Sequence, residues 1–298
     1  MSARLVLAFL IPVGFVAAAS GIVQDVELRL QRNDFTGAAN SIQAYRRARG
    51  VDPDVLEAMS WMARAELSGK NLDQAAKYAQ ETYQLSIAEI KKHPLDHDPN
   101  APLPLALGAA IEVEANLMAL RGERAGAVTY LRGELAKFQA SSIQPRIQKN
   151  INLLSLEGKP APALQGVALP AGKTALLFFW AHWCPDCKAE AAILKQLKSE
   201  FAAKGFVLIA PTQRYGYVAN GDDAPPALEN RYIDEVRQRF YPGVVDGPLV
   251  INEQNFRLYG VSTTPTLVLV DRKGVVRMYH PGALPYAELR AQIVAALS

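Results

Sequence analysis

The sequence of 298 residues has little cysteine, little histidine and almost no uncompensated charge. With two cysteines and four histidines in the whole chain, a zinc site of four Cys and His ligands is not expected, and no metal is predicted. The formal net charge is only +3 and no block of Lys or Arg accompanies it, so nucleic acid is not an expected partner. Half of the residues are hydrophobic, which is enough for packed cores and excludes a disordered chain.

Residues 1–19 have the pattern of an export signal. Arg4 supplies a basic start, residues 5–16 are uncharged and apolar, and the small residues 17–19 follow, which predicts cleavage at their end. Residues 5–23 also carry no charge and approach the length that spans a bilayer, so an uncleaved membrane anchor is the alternative. Both interpretations predict that the folded part lies outside the cytoplasm, in the periplasm or an equivalent compartment.

Residues 22–156 predict a domain made of helices only. Good helix formers dominate this region, and the period-two alternation that is typical of strands is nearly absent. The segments at 34–39, 71–76 and 123–128 each follow a polar turn and place small residues at one-turn spacing, so helices are expected to pack closely there. This irregular array resembles a stack of tetratricopeptide-like helical hairpins, and such a stack implies a protein partner for the helical domain.

Residues 157–298 predict a second domain, of the α/β class. The stretch Gly-Lys-Pro-Ala-Pro at 158–162 ends the helical pattern. After it come an apolar run at 175–180, a helical pattern over 185–204 and a second apolar run at 206–210. Strand, helix and strand in that order imply two parallel strands joined by a crossover helix.

The rest of this second domain contains two further predicted strands and a long insert. The strands are predicted at 266–270 and 275–279, joined by a hairpin turn, and an amphipathic helix over 285–297 closes the domain. The connection at 211–259 is longer than chain closure requires. We therefore predict that it is an insert, with a helix over 232–240, that shapes the rim of a functional site.

The two cysteines, Cys184 and Cys187, lie between the first predicted strand of this domain and its helix. Unpaired backbone N–H groups and the positive end of the helix dipole favour a thiolate at Cys184, which is expected to be the exposed member of the pair. Pro185 fits the first helical turn because its missing N–H would be unbonded there. Cys187, one turn further, is placed to resolve a mixed disulfide. A structural cross-link is the alternative, but closing so short a loop adds little stability.

Two motifs resemble those of a known family. The sequence Trp-Cys-Pro-Asp-Cys at 183–187, after an apolar strand, resembles thioredoxin. The stretch at 158–162 and the sequence Cys-Lys-Ala-Glu at 187–190 are similar to the exported TlpA-type branch of the thioredoxin-like superfamily. The second motif, Val-Ser-Thr-Thr-Pro-Thr at 261–266, matches the loop whose proline is cis in this family.

The resemblance covers the C-terminal region and implies its fold and site. The fold would be a thioredoxin-like domain with a central mixed sheet flanked by helices. Pro265 would be cis and would face Cys184, and Thr264 would offer its backbone to an incoming peptide. Trp183 is expected to line the site. No cofactor is implied other than the redox-active disulfide itself.

The sequence departs from thioredoxin at the proton acceptor for the resolving thiol. Thioredoxin carries a buried Asp six residues before its first cysteine, whereas Phe178 stands at that position here. The other titratable residues near the cysteine pair are His182, Asp186 and Glu190, and these are the remaining candidates for the proton acceptor. Together with Pro185 they are also expected to modulate the pair. Of these three, we expect the histidine to be a solvated neighbour, and the glutamate is equally well explained as a charge on the helix surface.

These observations predict an extracytoplasmic thiol–disulfide oxidoreductase that reduces protein disulfides. Asp186, between the cysteines, is expected to raise the pKa of the Cys184 thiol and so to favour reductant behaviour. Cys184 would attack the substrate disulfide and Cys187 would resolve the intermediate. The protein's partners would then be protein thiols and disulfides, together with an electron donor, expected to be a membrane protein with its own thiol pair.

Three other interpretations stay open at this point. A thiol peroxidase would use a Thr three residues before the reactive cysteine, where this sequence has Ala181. A metal site built from the two cysteines and a histidine lacks a second ligand pair. In the third interpretation the chain is mainly an interaction or scaffold protein, whose helical domain binds a partner and brings the redox domain to it.

Overall fold

The structure is a computed structural model that describes residues 21–92, 94–95, 97–247 and 249–298. The predicted export signal and nearly all of the alternative anchor lie outside the described residues. The described part of the N-terminal region is helical, as predicted. Its helices are α1 (Ile22–Gln31), α2 (Phe35–Arg49), α3 (Pro53–Ser68), α4 (Leu72–Ile90), α5 (Pro102–Leu120), α6 (Arg124–Lys137) and α7 (Gln144–Ser155).

Small residues and side-chain caps explain the beginnings of these helices. The helices α2, α4 and α6 begin within the three small-residue segments, and Ala38, Ala75 and Ala127 from those segments are fully buried. The Asp34 carboxylate caps α2 by accepting the Gly37 N–H at 2.8 Å, and such a cap contributes about 1 kcal/mol. Close packing of helices at these small residues follows.

Helix α5 is the centre of the helical region. It packs against α3, α4, α6 and α7, and most of its residues are buried. By length and composition alone it is also the one helix among the described residues that is apolar enough to cross a membrane. Its burial inside the helical region accounts for the same composition, because a helix that contacts neighbours on all sides is apolar all round.

The C-terminal region is built on a four-stranded mixed sheet with helices on both faces, which confirms the predicted fold class. Its elements are β1 (Thr174–Phe179), α8 (Pro185–Phe201), β2 (Phe206–Ile209), β3 (Pro211–Thr212), α9 (Pro226–Phe240), β4 (Val250–Ile251), α10 (Glu253–Tyr259), β5 (Thr266–Val270), β6 (Val276–Pro281) and α11 (Tyr286–Leu297). The strand order is β2-β1-β5-β6, in which β1 is parallel to β2 and antiparallel to β5, and β6 is antiparallel to β5.

The apolar run of β1 is explained by burial on both faces of the sheet. Leu176 and Phe178 lie in the core with α8 and α11, whereas Leu177 and Phe179 lie in the core on the opposite face with α10. Because neither face is open to water, the run has no polar alternation. The carboxyl end of β1 leads directly into the cysteine pair.

The connection at 211–259 forms a second small sheet and two helices. Strands β3 and β4 pair in parallel, with α9 between them and α10 after them. The predicted helix over 232–240 is longer than expected and begins at Pro226. Pro226 occupies the first helical turn, where its fixed φ and missing N–H are tolerated, so the proline pair begins the helix rather than ending a loop.

The helical region docks on the α/β region through α7 and α10. The Asn152 side chain of α7 donates a hydrogen bond of 2.8 Å to the Tyr259 carbonyl, which also accepts the Tyr279 hydroxyl at 2.8 Å. Gly260 lies against the backbone of Lys149 with φ +61°, so there is no room for a side chain there. A buried polar contact and a glycine contact therefore fix this interface.

Candidate active site

Cys184 and Cys187 form a disulfide at the N-terminus of α8. Cys184 is the N-cap residue, and its Sγ accepts the backbone N–H of Cys187 at 3.1 Å. The two Cα atoms are 5.3 Å apart, and Pro185 occupies the first turn, where the sequence analysis placed it. Donors at this helix end are therefore already directed at the sulfur that would carry a negative charge after reduction.

The prediction that Cys184 is exposed is wrong for the disulfide form. Cys184 is 1% exposed and Cys187 is 0% exposed. The physical reason is the loop that precedes β5, whose Thr264 carbonyl oxygen lies 3.4 Å from the Cys184 Sγ. A substrate that attacks or is attacked at Cys184 must therefore displace this local cover.

The loop before β5 contains the cis proline that the resemblance implies. The Thr264–Pro265 peptide bond is cis, and the contact above brings it next to Cys184. Two hydrogen bonds hold the backbone on either side of this peptide bond. The Thr266 hydroxyl donates to the Thr263 carbonyl at 2.7 Å, and the Gly282 N–H donates to the Pro265 carbonyl at 2.8 Å. Residues far apart in sequence thus meet at the disulfide.

Cys184 is held at the end of a four-residue turn. The Cys184 N–H donates to the Ala181 carbonyl at 3.2 Å, which places His182 and Trp183 in the middle of the turn. The two side chains have opposite environments: Trp183 is 45% exposed, and its ring meets that of Tyr215 edge-on at 5.5 Å, whereas His182 is 1% exposed. The prediction that His182 is a solvated neighbour is therefore wrong, because aromatic rings of the insert cover it.

Glu190 is the buried carboxyl group of helix α8. It lies one turn beyond Cys187 and is 3% exposed, so the interpretation as a surface charge is wrong. Burial raises its pKa, and the Leu284 N–H that approaches its Oε1 at 3.5 Å offsets this only in part. Asp186 is exposed in the first turn, and Phe178 is fully buried in the core. Of the two titratable candidates on α8, Glu190 is thus the buried one.

Glu229 was not found from the sequence, although it belongs to the site. It lies in α9, is 1% exposed, and brings its Oε1 to 3.3 Å from the His182 Nε2. Its carboxylate also accepts the backbone N–H groups of Tyr215 and of Gly216, the latter at 3.0 Å. A single Glu in an amphipathic helix reads as a surface charge, and only the fold shows that the insert brings it to the cysteine turn.

Three tyrosine rings surround the histidine. The rings of Tyr215, Tyr217 and Tyr232 meet the imidazole edge-on, with centroids 5.3 to 5.5 Å away. Removal from water lowers the pKa of His182, and this effect outweighs the opposite effect of the Glu229 carboxylate. Among the described residues no three His, Cys, Asp or Glu side chains are grouped in a way that would hold a metal ion.

A cleft of about 540 Å³ lies between the helical region and the insert. The segment between α6 and α7 forms one wall, with Gln139, Ala140 and Gln144. The other wall contains Tyr215, which contacts Trp183, and Val261, which begins the cis-proline loop. The cleft is therefore lined by one residue that contacts Trp183 and by one at the start of the cis-proline loop.

Comparison with known proteins finds relatives of part of this chain. A family described as a thioredoxin-like domain matches residues 163–297. The thiol:disulfide interchange protein DsbE of Yersinia pestis is 29% identical over 142 residues, which cover 44% of this chain and 66% of that protein. The thiol-disulfide oxidoreductase ResA of Oceanobacillus iheyensis is 27% identical over 157 residues, which cover 52% of this chain and 67% of that protein.

Solved structures also match part of this chain. A thiol:disulfide interchange protein of the thioredoxin family from Chlorobium tepidum has 20% identity and a TM-score of 0.38, and the match covers 48% of this chain and 98% of that structure. The matched part spans about two-thirds of the length of the curated relatives named above.

Proposed function

We propose, from the premise that residues 163–297 form a thioredoxin-like domain related to thiol:disulfide interchange proteins and thiol-disulfide oxidoreductases, that this protein reduces protein disulfides outside the cytoplasm. The observation that carries the proposal is the Cys184–Cys187 disulfide at a helix N-terminus, in contact with the Thr264 carbonyl beside a cis proline. This arrangement combines a stabilised thiolate with a backbone edge for a substrate peptide.

The reduced pair would act in two steps. The Cys184 thiolate attacks one sulfur of a substrate disulfide, which forms a mixed disulfide and releases the other substrate sulfur as a thiolate. The Cys187 thiol then loses its proton, for which Glu190 is the nearest buried acceptor along α8, and attacks the Cys184 sulfur. The second substrate sulfur leaves and the Cys184–Cys187 disulfide forms, so two electrons have passed to the substrate.

Each cycle leaves the protein oxidised, so an electron donor must restore the dithiol. A membrane protein with its own thiol pair is the expected donor, because soluble reductants are scarce in an oxidising compartment. Residues 1–19, with the pattern of an export signal, support this location. Fractionation of cells that express the full chain, with and without residues 1–19, tests it: a cytoplasmic full-length protein would contradict the proposal.

Reduction of insulin tests the activity. The reduced protein should precipitate the insulin B chain, and the variant with Cys184→Ser and Cys187→Ser should not. Full activity in that double variant would overturn the mechanism. The reduction potential against glutathione then tests the direction: a value near −270 mV, which is typical of thioredoxin, supports a reductant, and a value near −120 mV indicates an oxidant.

The inter-domain cleft favours a second role, in which the helical region contributes to binding of the substrate polypeptide. Ala140 lines the cleft and is exposed, so Ala140→Trp should fill it without touching the core. We expect a lower kcat/KM for insulin and an unchanged rate with oxidised glutathione. Ala136→Trp, on an exposed position of α6 outside the cleft, is the control. Equal effects of the two variants on insulin would exclude this role.

A further inference from the structure

The imidazole of His182 has no place in the two thiol-exchange steps, yet it is buried beside the residue that performs the first of them. The hydrogen bond between Cys184 and Ala181 closes a turn in which the end residues are less than about 7 Å apart at Cα, with His182 between them. The imidazole and the Glu229 carboxylate are both 1% exposed. A titratable pair removed from water therefore belongs to the same hydrogen-bonded turn as the cysteine whose charge changes on reduction.

The groups that face His182 come from three elements. Glu229 and Tyr232 belong to α9, and Tyr215 and Tyr217 belong to the segment after β3. From α8, the charge of Lys188 opposes protonation of the histidine. Glu229 thus provides the nearby negative charge, and the tyrosine rings exclude water.

We propose that His182, which lies beside the Glu229 carboxylate, takes up a proton when the Cys184–Cys187 disulfide is reduced and releases it when the disulfide forms again. The inference rests on the proposed function, since it concerns the same cysteine pair. The Nε2 of His182 is 3.3 Å from the Glu229 Oε1 without the geometry of a hydrogen bond, so in the disulfide form this nitrogen has no hydrogen-bond partner among the described residues. Burial lowers the pKa of His182 in that form and so favours the neutral imidazole.

Reduction changes this balance by placing a negative charge in the same turn. The disulfide accepts two electrons, Cys184 becomes a thiolate and Cys187 becomes a thiol. A charge that appears within the same turn, in surroundings with little water, acts more strongly on a buried titratable group than it would in water. The thiolate and the Glu229 carboxylate together then stabilise the imidazolium of His182.

The proton balance with glutathione follows directly. Two glutathione molecules supply two electrons and two protons and leave as glutathione disulfide. Where the pH lies between the imidazole midpoints of the two redox forms, one proton goes to the Cys187 sulfur and the other to the His182 imidazole, so no proton is exchanged with the solution. Without the histidine the second proton is released to the solution. The equilibrium constant for reduction of the protein disulfide by glutathione then rises tenfold per pH unit wherever Cys184 is a thiolate.

Titration of the His182 imidazole by NMR in the intact protein tests the proposal without any variant. Its signals are assigned from their contacts with the three tyrosine rings, and the pH is varied from about 5 to 8, the range in which histidine changes charge. We expect the midpoint in the reduced protein to be at least one pH unit above that in the disulfide form, a tenfold change in proton affinity. Equal midpoints in the two forms would overturn the proposal.

Two variants test the reciprocal effect on the cysteine pair, as thermodynamic linkage requires. In the wild type the equilibrium constant for reduction by glutathione should be nearly independent of pH between the two imidazole midpoints. In His182→Gln the same constant should rise up to tenfold per pH unit. Glu229→Gln should lower the imidazole midpoint in both redox forms, while Glu235→Gln, on an exposed position of the same helix, should leave it unchanged. A pH-independent equilibrium in His182→Gln at pH values where Cys184 is a thiolate would contradict the proposal. If the wild type reduces insulin but the His182 imidazole has equal midpoints in the two redox forms, the proposal of proton uptake is wrong and the proposed function stands.

Discussion

A buried carboxyl group one helical turn beyond Cys187 has opposite consequences for stability and for catalysis. Burial raises the pKa of Glu190, so the folded state favours the protonated form. The stability gained from this preference is complete below the unfolded value of about 4.3 and is lost as the pH rises through the higher folded value. As the pH rises through the folded value, ionisation of Glu190 therefore reduces the stability of the fold.

Glu190→Gln should separate these two effects. Ionisation of the buried Glu190 destabilises the folded protein, and the variant has no group to ionise there. Its unfolding free energy at pH 7, measured by urea denaturation, should therefore equal or exceed that of the wild type. Its resolution step, followed as decay of a mixed disulfide at Cys184, should slow by about 10²-fold or more, as expected when a general base is lost. Glu288→Gln, exposed in the first turn of α11, should change neither quantity. Unchanged resolution in Glu190→Gln would remove Glu190 from the mechanism.

At the scale of single elements, the helices and strands of both regions are stabilised by burial of apolar faces, and these faces can be identified in the sequence. Helix α5 depends on this most, since it has neighbours on several sides. Its Leu107 is fully buried, in a cluster with Ile111, Ile147 and other apolar residues, whereas Leu120 at the end of the same helix is 64% exposed. The same residue type in one helix thus has two environments.

Leu107→Ala should destabilise the protein by about 2 to 5 kcal/mol, because it removes buried methyl groups and leaves a cavity among neighbouring helices. Leu120→Ala should change the unfolding free energy by no more than about 0.5 kcal/mol, as is usual for exposed positions. Denaturant unfolding of both variants measures the difference. A cost for Leu120→Ala as large as that for Leu107→Ala would show that another surface covers the end of α5.

Most elements could be predicted from the sequence because their signals are local. The strand at 266–270 is found where the apolar run predicts it, and α8 begins at Pro185 between the cysteines. The environments of His182 and Glu190 could not be predicted, since burial of a polar side chain depends on distant residues. The insert brings Glu229 to the histidine across 47 positions of sequence, and no periodicity encodes that contact.

At the scale of the whole molecule, a glycine decides how the helical region meets the α/β region. Gly260 and Gly274 have similar left-handed backbones, with φ of +61° and +78°. A side chain at Gly260 would overlap the backbone of Lys149 in α7, whereas nothing lies near the corresponding position of Gly274. The two glycines therefore separate the cost of backbone conformation from the cost of a blocked interface.

Gly274→Ala should cost about 1 to 2 kcal/mol, the penalty of a left-handed conformation for a residue with a Cβ. Gly260→Ala carries the same penalty and in addition forces α7 away from α10, so it should cost several-fold more and split thermal unfolding into two transitions, one for each region. Calorimetry measures both. Since the cleft beside the disulfide has a wall from each region, Gly260→Ala should also lower kcat/KM for insulin while oxidised glutathione is turned over at the wild-type rate. If Gly260→Ala instead unfolds in a single transition and loses no more stability than Gly274→Ala, the α7 contact does not hold the two regions together.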